Sequence, residues 1–118
     1  MTILCCGDRH WKDKRKIKKT LELFLWASLE KIVVHGGAPG ADTLSGEAAE
    51  ELGFAVREYK AKWKKYKKAA GPIRNQLMLT AEEPDVVIAF HGNLKKSKGT
   101  RDLIQRAIKK GILVIRIE

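Results

Sequence analysis

The chain has 118 residues, with 24 Lys plus Arg against 14 Asp plus Glu, a formal charge of +10. That length fits one domain and is too short for an enzyme that builds its cleft from two. Apolar residues at 44% arrive in periodic blocks, which excludes disorder, and the composition excludes collagen-like, coiled-coil and disulfide-scaffold proteins.

Thr2 to Cys6 reads as a short buried strand ending at Gly7. Cys5 and Cys6 are adjacent, so on a strand they point to opposite faces and do not pair. They read as buried free thiols of a reducing compartment, and with no CxxC spacing the chain gives no metal site. Lys12 to Glu30 reads as a helix, because Ile17, Leu21, Phe24, Leu25 and Leu29 share one face. Ile32-Val33-Val34, within Lys31 to His35, is a second buried strand. Ala41 to Leu52 is a helix with Ala41, Leu44, Ala48 and Leu52 on one stripe, capped by Gly53. Phe54 to Tyr59 is a third strand, and Lys60 to Gly71 reads as a loop.

Pro72 suits the first turn of a helix running to about Glu82. Asp85 to Phe90 is a fourth strand, and His91 to Lys98 a loop. Gly99 to Lys110 is a helix with Leu103, Ile104, Ala107 and Ile108 inward, capped by Gly111. Ile112 to Ile117 is the last strand. Continuous β-branched strands alternating with helices predict an α/β fold. The expectation is a single-domain, Rossmann-like, doubly wound sheet of about five parallel strands over residues 1–118. No apolar run approaches the roughly 18 residues of a membrane span. The start turns polar too soon for a signal peptide. A cytoplasmic protein without membrane contact is expected.

Ligands of such folds sit outside the carboxyl ends of the strands. Three glycine-bearing loops fall there: Gly7-Asp8-Arg9-His10-Trp11, His35 to Asp42 with Gly36, Gly37 and Gly40, and His91 to Thr100 with Gly99. Glycine lets backbone approach an anion, and N–H groups at a helix start bind it. Neither the dinucleotide fingerprint nor a P-loop is present, and no cofactor is expected. Several residues carry two readings. Arg9 is a phosphate contact or a surface ion pair. Asp42 meets a ribose hydroxyl or stabilises its helix start. Thr100 is an N-cap that can also hold phosphate. Trp11 stacks on a base or packs beside its loop. His35 reads as a structural histidine. Arg74, in the first turn of its helix, is the stronger ligand candidate.

The first two loops, followed by Ala70-Gly71-Pro72-Ile73-Arg74-Asn75-Gln76-Leu77-Met78, resemble the YspA-type branch of the SLOG superfamily over nearly the whole chain. The resemblance implies a Rossmann-like fold and a nucleotide or nucleotide-derived ligand. It places Arg74 and Asn75 in the site. Small members occur in phages and mobile elements. LOG-type phosphoribohydrolases of the superfamily use an Arg in E-R-K-x-x-M and a Glu in P-G-G-x-G-T-x-x-E. Arg74 and Met78 match the first stretch, with Asn75 in place of Lys, and Gly99-Thr100 match G-T. The Glu position falls on Leu103, which can neither stabilise an oxocarbenium ion nor activate water. Asp102 is one residue earlier, roughly 100° round the helix. Arg74 and Asp102 are therefore weak catalytic candidates, and binding or sensing is favoured over N-glycosidic hydrolysis of a nucleoside monophosphate.

The excess charge lies largely in Lys12 to Lys19, Lys60 to Lys68 and Lys95 to Lys98. Lys60, Lys62, Lys64, Lys65, Lys67 and Lys68 surround Trp63 and Tyr66, and interleaved charge and rings suit nucleic acid. A nucleic-acid-binding module, by analogy with the superfamily's DNA-processing protein DprA, is a third reading. The two aromatics also belong to the family pattern, which points to loop packing, and the lysines fit a solvated surface equally. The expected partner is a nucleotide-type phosphorylated small molecule. A homodimer is open, because LOG-type relatives pair through helices and Trp26 falls outside the core stripe.

Overall fold

The computed structural model describes residues 1–27 and 29–118. In chain order it holds β1 (Thr2–Gly7), α1 (Lys14–Glu22), β2 (Ile32–His35), α2 (Ala41–Glu51), β3 (Ala55–Glu58) and α3 (Trp63–Tyr66). Then come α4 (Ala70–Glu82), β4 (Val86–Phe90), α5 (Lys98–Lys109) and β5 (Leu113–Ile117). The five strands pair in parallel in the order β3-β2-β1-β4-β5. This is the Rossmann-like α/β sheet the strand and helix alternation predicts.

Strand alternation divides the core into two layers. Ile3, Cys5, Val33, Ile88 and Phe90 pack with Ile17 and Leu21 of α1 and with Ala41, Ala48 and Ala49 of α2. Leu4, Cys6, Val34, Val87 and Ala89 pack with Met78 and Leu79 of α4 and with Leu103 and Ala107 of α5. Two helices thus cover each face. Cys5 and Cys6, both buried and unpaired, fall in different layers, as their adjacency predicts. Burial pushes the Cys5 thiol up to about 12 and raises Cys6 as well.

Several boundaries differ from the sequence expectation. The first helix ends at Glu22, eight residues short of Glu30, and Phe24 and Leu25 continue in turns bonded to Leu21 and Glu22. A six-residue strand spans about 20 Å. A nine-residue helix covers about 14 Å of it, whereas a helix to Glu30 would overrun the sheet at about 28 Å. Leu29 accordingly buries nothing and is fully exposed, with Trp26 93% exposed. The expected loop at 60–71 contains α3 and a 3-10 turn, Lys67–Ala69, and α4 begins at Ala70. Pro72 is its third residue, still where an N–H has no helical partner. Ile108 of α5, expected inward, is 61% exposed.

The outer strands β3 and β5 are mostly exposed. Arg57 in β3 pairs with Glu82 at 2.6 Å, and the Tyr59 hydroxyl donates to the other Glu82 oxygen at 2.5 Å, tying the β3 edge to the end of α4. Arg116 in β5 pairs with Glu118. Among the described residues no helix is long and apolar enough to cross a membrane.

Candidate functional site

A parallel sheet gathers every strand-to-helix connection at one rim. In the order 3-2-1-4-5 the connections diverge between β1 and β4, which makes that point a crevice. Gly7 ends β1 opposite Phe90, with φ +148°. A Cβ there would lie 2.2 Å from the Phe90 carbonyl oxygen, so the two backbones close together only at glycine. The Asp8 N–H then donates to Phe90 at 2.9 Å.

Asp8 is the hub of the first loop. Its carbonyl accepts from the Trp11 N–H at 3.1 Å, and its side-chain Oδ1 accepts from the His10 N–H at 2.8 Å. The same carbonyl accepts from the Ala41 N–H, the first residue of α2, at 3.0 Å. Gly40 makes that approach possible: with φ +76°, a Cβ on it would stand 2.4 Å from the Asp8 oxygen and the Arg9 carbonyl carbon. On the other side, the Thr100 hydroxyl in α5 donates to the Gly7 carbonyl at 3.2 Å and accepts from Ser97 at 2.8 Å. The starts of α2 and α5, which cover opposite faces, therefore both bond to Gly7-Asp8. First-turn N–H groups have no partner within a helix and sit at its positive end. Arg9, exposed, lies on the turn between them.

The second glycine loop is closed on itself. Asp42 is buried, and its Oδ2 accepts from the Gly36 and Ala38 N–H groups at 3.1 and 3.2 Å. His35, buried at the end of β2, accepts the Gly37 N–H on Nδ1 at 3.0 Å. Burial lowers the His35 pKa, in keeping with a neutral acceptor. Burial also pushes Asp42 up to about 6, against the opposing pull of the Ala38 and Gly36 N–H groups and of Arg74. The Gly36 and Gly37 amides, expected to cradle phosphate, are thus already bonded. A ribose contact by Asp42 would compete with the bonds that shape its loop.

Arg74 is the fifth residue of α4 rather than part of its first turn, because the helix starts two residues before Pro72. Its Nη1 donates to the Gly36 and Tyr59 carbonyls at 2.6 and 3.3 Å, and its Nε to the Asn75 side chain at 3.0 Å. It joins the ends of β2 and β3 to α4 and borders a cavity of about 100 Å³ with Tyr59, Lys60, Lys62 and Tyr66. A nucleotide-sized site needs roughly 300 Å³ or more. Asn75 is buried and donates to the Gly99 carbonyl at 3.2 Å and to Asp102 at 3.0 Å. Asp102 also accepts from Arg106 at 2.9 Å. Leu103 is in the core.

Two further expectations change. The N-cap of α5 is Ser97, and Thr100 is the third residue of the helix. The Trp11 ring packs on Phe90 at 5.8 Å between centroids, tilted by 55°, and its Nε1 donates to the Asp13 carbonyl at 2.9 Å. These contacts fit the packing reading of Trp11. His91, read only as the start of the third loop, is buried just beyond the end of β4 and accepts the Asn93 N–H at 2.9 Å, as His35 accepts that of Gly37. A signal existed, since His35-Gly36 and His91-Gly92 repeat one dipeptide at two strand ends. Among the described residues no three metal-ligating side chains come together.

The sheet order and the helix starts closing on one strand end define a Rossmann-like α/β protein with its polar rim at the switch point. The chain belongs to the YspA, cpYpsA-related SLOG family, whose sequence model matches residues 1–66. That match runs from β1 through α3 and includes the first two glycine loops, while the Arg74 stretch and the third loop, His91 to Thr100, lie beyond it. The chain is also similar to the "Gene 61 protein" of Mycobacterium phage D29. The two are 39% identical over 119 residues, covering 96% of this chain and 93% of the phage protein.

Proposed function

We propose that this protein binds or senses a phosphorylated, nucleotide-type ligand seated on Gly7 to Arg9 between the first turns of α2 and α5. The observation that carries the reading is the bonding of both helix starts to Gly7-Asp8. Such termini favour an anion chiefly through their aligned peptide dipoles, since at α2 the Ala41 and Thr43 N–H groups already donate to the Asp8 and Ala38 carbonyls. Arg9 supplies an exposed guanidinium beside them. SLOG membership suggests a nucleotide-related ligand for the same rim.

Turnover receives less support than binding. N-glycosidic hydrolysis needs a carboxylate that can stabilise an oxocarbenium ion or activate water. Leu103 is in the core, and Asp102 is engaged by Asn75 and Arg106. Arg74 acts in this reading as the strut that shapes the second loop.

The test is calorimetry against nucleoside mono- and diphosphates and cyclic nucleotides. Removing one charge-assisted phosphate contact in Arg9→Ala should weaken binding about 10-fold. A Cβ on Gly99, in the first turn of α5, would meet nothing within 4 Å, so Gly99→Glu fits the fold and adds a negative charge at that helix start. It should abolish binding while leaving Tm unchanged or higher. Absence of heat with every nucleotide, or undiminished binding in Gly99→Glu, sinks the proposal. Release of free base from a nucleoside monophosphate would replace binding with hydrolysis.

A further inference from the structure

Two stretches of the chain carry basic residues and no acid. Residues 59–81 carry seven Lys and Arg with no Asp or Glu, and residues 86–101 carry four with none. The rest of the chain has 13 cations against 14 acids. The stretches follow β3 and β4, so their loops share the carboxyl rim, and Asn75 joins them by its bond to Gly99. Every lysine in both is exposed, and among the described residues none of them is in a salt bridge.

Two details separate residues 60–68 from an ordinary solvated surface. Trp63 is 59% exposed, and its ring lies over Gly71, where a Cβ would come within 3.3 Å of it. The indole is thus propped on the start of α4 with much of its surface open. Lys67 stands at φ +53° and ψ −129°, a conformation that favours glycine. A lysine held where glycine would relax the chain carries a backbone cost that no salt bridge of its own offsets among the described residues.

We propose that the α3 segment is a binding track for single-stranded nucleic acid, with Lys64, Lys65, Lys67 and Lys68 on the phosphates and Trp63 stacked on a base. Charge alone would accept any polyanion. An exposed ring asks for an unstacked base, which a single strand offers and a duplex withholds. The track is separate from the nucleotide seat at Gly7 to Arg9 and does not depend on it.

Fluorescence anisotropy with labelled 20-nucleotide oligo-dT, the matching duplex and anionic-lipid vesicles tests it. With four lysines engaged, the log–log salt slope for the single strand should be about −3. Replacing all four by Gln should bring that slope near zero and weaken binding about 30-fold or more at low salt. Trp63→Ala should weaken binding roughly 5- to 100-fold with the slope unchanged. Lys67→Gly should raise Tm while lowering affinity. Gly99→Glu should keep strand binding within about threefold, so failure of the nucleotide seat and failure of the track are told apart. No binding of the single strand at low salt overturns the proposal. So does equal binding of duplex with no effect of Trp63→Ala, survival of binding in the four-lysine variant, or binding to vesicles alone.

Discussion

Residues 1–58 carry nine cations and nine acids, whereas residues 59–118 carry fifteen cations and five acids. In the balanced half, Lys14 and Lys18 of α1 both reach Glu51 of α2, at 2.7 and 3.3 Å, while Arg57 crosses to Glu82 and Lys12, Arg15 and Lys19 stay exposed. Its loops engage their own polar groups, through Asp42, His35 and the Asp8 carbonyl. Lys12 to Lys19 holds six cations and one acid, and acids elsewhere in residues 1–58 balance that stretch. The cationic half leaves its lysines in solvent. The net charge of +10 therefore arises in residues 59–118, although basic stretches occur in both halves.

The largest test of that contrast is backbone closure in the neutral half. Gly7→Ala drives a Cβ into the Phe90 carbonyl and should cost about 3 kcal/mol or more by denaturant unfolding. Gly53→Ala has a positive φ but open space around it, and should cost only about 1 kcal/mol. Equal losses would show that β1 and β4 are not locked at Gly7.

Next comes the pH dependence held in the second loop. Asp42 rises from an ordinary 3.8 to about 6, so the folded state keeps a proton that the unfolded chain releases. Stability should fall as pH climbs from about 4 to about 6 and level off above, by up to about 3 kcal/mol. Asp42→Asn lacks this titration. The Tm of the wild type minus that of the variant should decrease over that window, and a flat difference would contradict the buried carboxyl. In the cationic half, Asn75→Ala breaks the link between α4 and α5 and leaves the Gly99 carbonyl short of a partner. A loss of about 1–3 kcal/mol is expected in thermal unfolding. Smallest is Lys64, Lys65, Lys67 and Lys68 to Gln, which should change stability by no more than about 0.5 kcal/mol per site. A larger loss would mean that these lysines hold the fold together.

The sheet was legible because buried parallel strands are continuous β-branched runs, as at Ile32 to Val34 and Val86 to Ile88. The end of α1 was not, because Leu29 keeps the helical period while the sheet beneath it has run out. Ile108 failed likewise, as periodicity names a face but not whether anything covers it. In the site, Gly7 and Gly40 read as places where backbone nears an anion, whereas what approaches them is the chain's own backbone, at Phe90 and at Asp8 and Arg9. Asp42 was undecidable, since an acid at a helix start suits a ribose hydroxyl and the helix dipole equally, and neither reading names the loop bonds to Gly36 and Ala38. Arg74 was misplaced in its helix because Pro72 marks the first turn without fixing the first residue.

The arginines on the two outer strands bear on how copies of the chain meet. An open sheet edge is a template for another strand. Here β3 offers only four residues, with Arg57 pinned to Glu82, and β5 carries Arg116 beside Glu118. A second copy adding itself there would have to bury these charges. Growth of the sheet from molecule to molecule is discouraged at both margins, and association between copies is steered toward helical surfaces or loops.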